Sequence, residues 1–152
     1  AKITMIHVPY KGSGPSAIAL LSGEVQLMFS SIPPTLSHIR AGKMRALGVG
    51  NLKRIPSQPE FPTIAESAVP GYEVVQWFGI ALPAGTPRPI IGKLNQELVS
   101  ILSTGEVRDA LVKQGFEPVG TTPDAFAAYI QSELVKWARV FKEAGWRGDE
   151  LR

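Results

Sequence analysis

A chain of 152 residues with 44% hydrophobic and 19% charged residues can fold around a core, which excludes an intrinsically disordered protein. No apolar run approaches the roughly 18 residues of a membrane span, and the first ten residues lack the regions of a signal peptide. The absence of cysteine excludes disulfides, thiol nucleophiles and thiolate metal sites.

The charge is unevenly distributed along the chain. Residues 1–59 carry a net charge of +6 with Glu24 as their single acid, whereas residues 60–152 carry −3. The stretch 25–59 has five cations and no acid, which fits either an anionic partner or a solvated basic face. We expect a small anion rather than a nucleic acid.

The first third of the chain has a βαβαβ order, which predicts an α/β fold with a parallel-rich sheet and flanking helices. Alternating, β-branched residues indicate the strand at 3–8, and a short apolar run indicates a buried strand at 27–29. Apolar residues three to four positions apart, bounded by glycine or proline, indicate the helices. The predicted elements are a strand at 3–8, a helix that follows the loop PYKGSGP and stops at Gly23, a strand at 27–29, a helix from Pro33-Pro34 to Gly42, and a strand at 44–49.

The remainder of the chain begins with a proline-rich connector over 51–71 and continues mainly as helices. Further predictions are a strand at 73–82, a helix capped by Thr86 with Pro87 as its first residue and ending before Gly105, a helix over 106–114 ended by Gly115, and a helix from Thr122-Pro123 to Gly145. The apolar stripe of the last helix, which includes Trp137 and Phe141, is predicted to pack in the core.

The glycine-rich loop between the first strand and the first helix is the main candidate site. Gly12-Ser13-Gly14-Pro15-Ser16-Ala17 fits the G-x-G-x-x-A pattern, in which backbone amides meet an anion. A dinucleotide-binding enzyme would also need an acid about 20 residues later, and none is present. Residues Tyr10, Lys11, Gly12, Ser13 and Gly14 therefore form either an anion site or a plain turn with a helix cap.

Other functional classes have little support in the sequence. His7 and His38 lie on different elements, and without cysteine they predict no metal site. No nucleophile elbow or phosphate loop is present, so we expect no catalysis and no cofactor. Trp77 and Phe78, at the end of a predicted strand, either fill the core or wall a cleft.

Several motifs in order resemble the periplasmic receptors of the tripartite tricarboxylate transporter family. The motifs are HVPYKGSGP at 7–15, GEV at 23–25 with MFSS at 28–31, HIRAGKMRAL at 38–47, FPTIAE at 61–66, PGYE at 70–73, WFG at 77–79, PAGTP at 83–87 and LN at 94–95. The resemblance spans nearly the whole chain and corresponds to the C-terminal half of such receptors.

The resemblance implies two lobes of the type II periplasmic binding-protein kind that close over a small carboxylate and deliver it to membrane permease subunits. Residues 1–75 would form most of the second lobe, and 76–152 a hinge strand near Trp77 and helices of the first lobe. The ligand would be held at Tyr10 to Gly14 and at Ser30, Ser31 and Ile32. Family members often have Asp or Asn at the positions of Ser30 and Ser31. The serines of this chain therefore favour a plain carboxylic acid as the ligand over an amino acid.

The resemblance also implies consequences for a chain of this length. Family chains are about twice as long, so we expect this piece to lack half of the pocket, to bind small carboxylates weakly or not at all, and to cover its apolar face by self-association. A periplasmic location is expected. Two alternatives remain open, namely a dinucleotide-binding enzyme domain and a receptor lobe that is reused as a sensory or interaction module.

Overall fold

The chain divides into two compact units in a computed structural model, which describes residues 4–145. Within these bounds the first unit comprises residues 4–80 and 108–118, and the second comprises 81–107 and 119–145. The chain leaves the first unit after Ile80, so Trp77, at the predicted hinge, belongs to the first unit. The division into receptor lobes at 75 and 76 stays a prediction.

Helices are the main regular structure of the described part of the chain, and every helix predicted from the sequence forms. Glycines with positive φ follow four of the helices, as predicted from Gly23, Gly42, Gly115 and Gly145. The helices are α1 (Ser13–Ser22), α2 (Pro33–Arg40), α3 (Ile64–Ser67), α4 (Arg88–Ser103), α5 (Gly105–Lys113) and α6 (Pro123–Glu143). The short α3 within the predicted connector is an additional element.

Three predicted helix starts are wrong by a small number of residues, and one of them is that of α5, which begins at Gly105 and not at residue 106. α1 begins at Ser13, so Ser13 and Gly14 lie in its first turn and not in the preceding loop. α4 begins at Arg88 with Pro87 as its N-cap, because the Thr86 hydroxyl donates to the Pro83 carbonyl (2.8 Å) and does not cap the helix. In contrast, α6 starts where predicted, and Thr122 caps it by accepting a hydrogen bond from the Ala125 amide (3.2 Å).

The predicted parallel sheet is not confirmed. Within residues 4–145, the segments predicted as strands form no ladder, and the one β-bridge joins Val49 to Thr63 in parallel. The Val74 amide also donates to the Gly50 carbonyl (2.9 Å). A β-branched, alternating segment becomes a strand only where a neighbouring strand supplies backbone partners, so sequence preference alone does not create the sheet.

The core of the first unit lies where α2 meets the connector. Leu36, Val49, Ile55 and Phe61 are buried against one another, and Ile32 is one of the partly buried residues that pack on them. The connector adds Thr63, whose side chain is fully buried and accepts a hydrogen bond from the Glu66 amide (3.0 Å) at the start of α3. The proline-rich segment is therefore an ordered part of the core.

In the second unit α6 packs against α4, but most of its apolar stripe remains exposed. Trp137 is half-buried, its indole donates to Glu133 (3.1 Å), and it packs against Phe141 with ring centroids 5.9 Å apart. Phe141 is 41% exposed and Leu134 is 59% exposed. The prediction that Trp137 and Phe141 are core residues is therefore wrong within this unit, because α4 covers only part of the stripe.

None of the helices described between residues 4 and 145 combines the length and the apolar character that crossing a membrane requires.

Candidate functional site

Loop A, which we define as Tyr10 to Gly14, extends into the first turn of α1. Gly12 is the N-cap of α1 with φ 100° and ψ 175°, a conformation that is essentially restricted to glycine. No side chain caps α1 and its first turn contains no acid. Because Pro15 has no N–H, the Ser13 and Gly14 amides and the Ser13 hydroxyl are the donors that this turn can direct at an anion.

The structure adds a partner for loop A that the sequence analysis did not assign. The Tyr10 phenol donates to Oε1 of Glu24 at 3.1 Å. Desolvation, this hydrogen bond and the nearby carboxylate charge together raise the pKa of the Tyr10 phenol. The phenol is therefore restrained by the residue just beyond α1, while the side chain of Lys11 is exposed.

Loop B, which we define as Ser30 to Ile32, leads into α2. Ile32 is the N-cap of α2 with φ −66° and ψ −44°, and no side chain caps this helix. The Thr35 hydroxyl donates to the Ser31 carbonyl (3.4 Å) and to the Ile32 carbonyl (3.1 Å). Since α2 begins with two prolines, an anion at loop B would be bound by the amides and hydroxyls of loop B itself.

Loops A and B belong to one unit, because both precede helices that pack against each other in the first unit. Trp77 and Phe78 belong to the same unit but are exposed, at 39% and 69% respectively. Phe78 lies edge-on to Phe116, with ring centroids 5.9 Å apart and an interplanar angle of 74°. Phe78 is thus placed beside a residue that the sequence analysis did not single out, and its assignment to the ligand site stays a prediction.

The first unit also contains a cavity that the sequence analysis missed. The cavity is about 490 Å³ in volume, and its lining combines cations and acids, among them Lys53, Arg54, Glu73 and Glu117. Arg54 forms a salt bridge with Glu66 (2.5 Å), and Ser57 donates to Glu117. The sequence signal for the cavity is the pair Lys53-Arg54 in the connector, which belongs to the basic stretch 25–59.

Within the described residues, no group of three His, Asp or Glu side chains is arranged to hold a metal ion. His7 is exposed and His38 is half-buried on α2. The expectation of a metal-free protein stays a prediction.

Comparison with known sequences places these loops in a family. The sequence profile of TctC, described as the tripartite tricarboxylate transporter family receptor, matches residues 1–146. The chain belongs to this receptor family. Among TctC relatives, BugT of Bordetella pertussis is 39% identical over 145 residues, which cover 95% of this chain and 44% of BugT.

Solved structures agree with the assignment to the TctC family. A protein of R. palustris with adipate has a TM-score of 0.83 and 38% identity over 91% of this chain. The periplasmic binding protein BugD has a TM-score of 0.82 and 34% identity over 94% of this chain. MatC from Rhodopseudomonas palustris with bound malate has a TM-score of 0.74 and 33% identity over 88% of this chain. The chain spans 46%, 48% and 46% of these structures respectively, a little less than half of each.

These likenesses support the predicted class of fold, which is that of the periplasmic binding proteins, although the sheet is not formed within residues 4–145. They also support the predicted resemblance to a receptor, since the TctC family is a receptor family and not a family of enzymes.

Proposed function

We propose that this chain is the part of a TctC receptor that binds one carboxylate group of a small organic acid through loops A and B. The N-terminus of α1 carries the proposal. It combines the glycine-only conformation of Gly12 with two amide donors, at Ser13 and Gly14, and no side chain of its own as a cap. Exposed Lys11 adds a cation beside these donors.

The contrast with two other helices supports this assignment. Thr63 caps α3 and Thr122 caps α6, and each of these helices carries an acid in its first turn, Glu66 and Asp124 respectively. Their N-terminal dipoles are already compensated by the protein. α4 also lacks a capping side chain, but it begins with the cation Arg88 and lies in the second unit.

The adipate and malate structures support a plain carboxylic acid as the ligand class, since both of those related proteins were solved with dicarboxylates. Neither ligand has an ammonium group. This agrees with the serines of loop B, which offer hydroxyl and amide donors where an acidic side chain would attract a cation.

Calorimetric titration of the complete receptor with adipate tests this function, with adipamide as a neutral analogue of the same length. We expect adipate to bind and adipamide not to bind. Gly14→Val should weaken adipate binding by about 1–3 kcal/mol, since it hinders a charge-assisted hydrogen bond. An added Cβ at Gly14 meets no atom within 4 Å, so the fold should persist.

Gly92→Val is the matched control, because Gly92 is also a helical glycine with open space around an added Cβ. Its adipate affinity should equal that of the parent. Equal affinities for all three folded proteins would reject loop A as the site.

The role of the whole receptor follows from its family. We propose that the complete protein acts in the periplasm, releases its ligand to the membrane permease subunits of a tripartite transporter, and catalyses no reaction. Pull-down of those permease subunits by the ligand-loaded receptor tests the delivery step. A thermal shift with a nicotinamide cofactor, which stabilises only proteins that bind it, would instead favour a dinucleotide-binding enzyme.

We also propose that the chain as it stands self-associates through α6. Leu134 and Val135 of this helix are 59% and 72% exposed, and burying a large apolar side chain contributes roughly 1.5–3 kcal/mol. Light scattering should find a dimer or larger species, and Leu134→Glu should shift it towards the monomer. A compact monomer of the parent chain would contradict self-association.

A further inference from the structure

The turn formed by Gly115, Phe116 and Glu117 contacts three separate parts of the first unit. Gly115 lies against Ile32 of loop B, Phe116 lies edge-on to Phe78, and Glu117 accepts a hydrogen bond from Ser57. The turn belongs to the segment 108–118, with which the chain returns to the first unit after passing through the second. We call residues 115–117 the return turn.

Gly115 ends α5 in a conformation that leaves no room for a side chain. Its φ is 90°, its amide donates to Val112 (2.9 Å), and the Phe116 amide donates to Leu111 (3.0 Å), which is the Schellman pattern of a helix end. A Cβ built on Gly115 would lie 2.7 Å from Cγ2 of Ile32. Such a distance is shorter than carbon atoms tolerate, so the absence of a side chain at Gly115 determines how closely Ile32 of loop B can approach the return turn.

The close approach is not a general property of this kind of helix end. Gly42 ends α2 with the same pattern, because its amide donates to Ile39 (2.9 Å) and the Lys43 amide donates to His38 (2.9 Å). Its φ is 68°, and a Cβ built on it would meet no atom within 4 Å. Left-handed backbone therefore explains the glycine at both ends, whereas contact with a candidate ligand residue occurs only at Gly115.

Phe116 packs against Phe78, which is the second candidate ligand residue that the return turn contacts. Phe78 is 69% exposed, and its described aromatic contact is the T-shaped pair with the neighbouring Phe116 ring. An edge-to-face pair favours one ring orientation over others. The orientation of Phe78 therefore depends on Phe116, just as the position of Ile32 depends on Gly115.

We propose that the return turn is a positioning element of the ligand site, which sets the placement of Ile32 and Phe78 without itself touching the ligand. This proposal rests on the proposed function of loop B. It makes Gly115 and Phe116 determinants of ligand affinity, although the sequence identifies Gly115 only as a helix stop.

The test compares Gly115→Ala with Gly42→Ala, since both place a side chain on left-handed backbone at a helix end. With adipate as the probe, Gly115→Ala should weaken binding about tenfold, as expected for a steric coupling between neighbouring residues. Gly42→Ala should bind like the parent. Placing Gly115→Ala in an Ile32→Ala background, where Cγ2 is absent, should cause little further loss.

A second readout does not require any ligand. The methyl resonances of Ile32 in the NMR spectrum should move in Gly115→Ala and stay in place in Gly42→Ala. Unmoved Ile32 methyls, or an equal loss of affinity with and without the Ile32 side chain, would overturn the positioning role. If the parent does not bind adipate, the proposed function fails, and the ligand-free methyl shifts still decide whether Gly115 places Ile32.

Phe116→Leu keeps the test decisive if Gly115→Ala does not fold. This variant retains apolar bulk but removes the aromatic ring that packs against Phe78. The ring resonances of Phe78 should then shift and adipate should bind more weakly. A folded Phe116→Leu protein with unchanged Phe78 resonances and unchanged affinity would contradict the proposal.

Discussion

The hydrogen bond from the Tyr10 phenol to Glu24 Oε1, at 3.1 Å, connects loop A to the residue that follows the C-terminal glycine of α1. Two residues of loop A are thus connected to α1. Gly12 is the N-cap of α1, and Tyr10 is hydrogen-bonded to Glu24 just beyond the C-terminus of α1. The carboxylate restrains one candidate ligand residue without belonging to the loop.

Glu24→Gln should lower the pKa of Tyr10, because it removes the carboxylate charge and weakens the hydrogen bond that favour the neutral phenol. In the parent the pKa is raised, so the folded protein binds the Tyr10 proton more tightly than the unfolded chain does. The resulting stability is complete below about pH 10 and is lost as the pH rises through the folded pKa.

Tyrosinate absorbance during a pH titration measures the pKa of Tyr10. The absorbance of the Tyr10→Phe variant is subtracted to remove the contributions of Tyr72 and Tyr129. If the pKa of Tyr10 were the same in the parent and in Glu24→Gln, the hydrogen bond would not exist in solution.

Glu66→Gln should reduce the loss of stability in acid. Arg54 donates to Glu66 through Nε (2.8 Å) and Nη2 (2.5 Å), and these bonds are the main reason that the pKa of Glu66 is lowered. The contribution of Glu66 is therefore present above about pH 4.3 and is lost as the pH falls through the lower, folded pKa.

Melting temperatures measured at several pH values from neutral to acidic test the contribution of Glu66 to stability. The control is Glu60→Gln, which removes a carboxylate from the same connector. The parent and the control should lose stability more steeply in acid than Glu66→Gln. Parallel curves for all three proteins would show that the Arg54 pair does not stabilise the fold.

Gln58→Leu should stabilise the first unit. The Gln58 side chain is 1% exposed, and neither Oε1 nor Nε2 has a hydrogen-bond partner in the structure. An unsatisfied buried amide costs about 1–3 kcal/mol, so an apolar residue of similar size should raise the free energy of unfolding by about that amount.

Urea denaturation measures this gain, with Gln76→Leu as a control because Gln76 is exposed. A loss of more than about 1 kcal/mol in Gln58→Leu would instead mean that the amide makes hydrogen bonds in solution.

Thr63→Ala should destabilise the first unit by about 0.5–2 kcal/mol, since it removes the cap of α3. Thr63→Ser keeps the capping oxygen and should lose less. The same denaturation experiment compares the two variants, and an equal loss in both would assign the effect to the missing methyl group and not to the cap.

The helices could be predicted because their signals are local. Thr122 with Pro123 identifies the start of α6, and Gly23 and Gly145 follow helices as their sequence positions indicate. The start of α4 was misplaced because two neighbouring residues, Thr86 and Pro87, can each occupy the cap, and only the bond of Thr86 to Pro83 distinguishes them.

The sheet and part of the site environment depend on distant contacts that a local pattern does not contain. Alternation at 3–8 describes a segment suited to a strand, but a partner strand decides whether a ladder forms. Likewise, Gly115 is identifiable as a helix stop, whereas its contact with Ile32 joins two residues far apart in the sequence. The buried Gln58 was missed because a polar residue between prolines favours a surface connector.

The most direct test of carboxylate binding at loops A and B is an amide NMR titration of the complete receptor with adipate. Carboxylate binding at loops A and B predicts that the largest shifts occur at the amides of Ser13, Gly14 and Ser31, and that adipamide does not cause them. Shifts confined to other residues, such as those that line the cavity near Lys53 and Glu73, or loops that do not respond to saturating adipate, would contradict it.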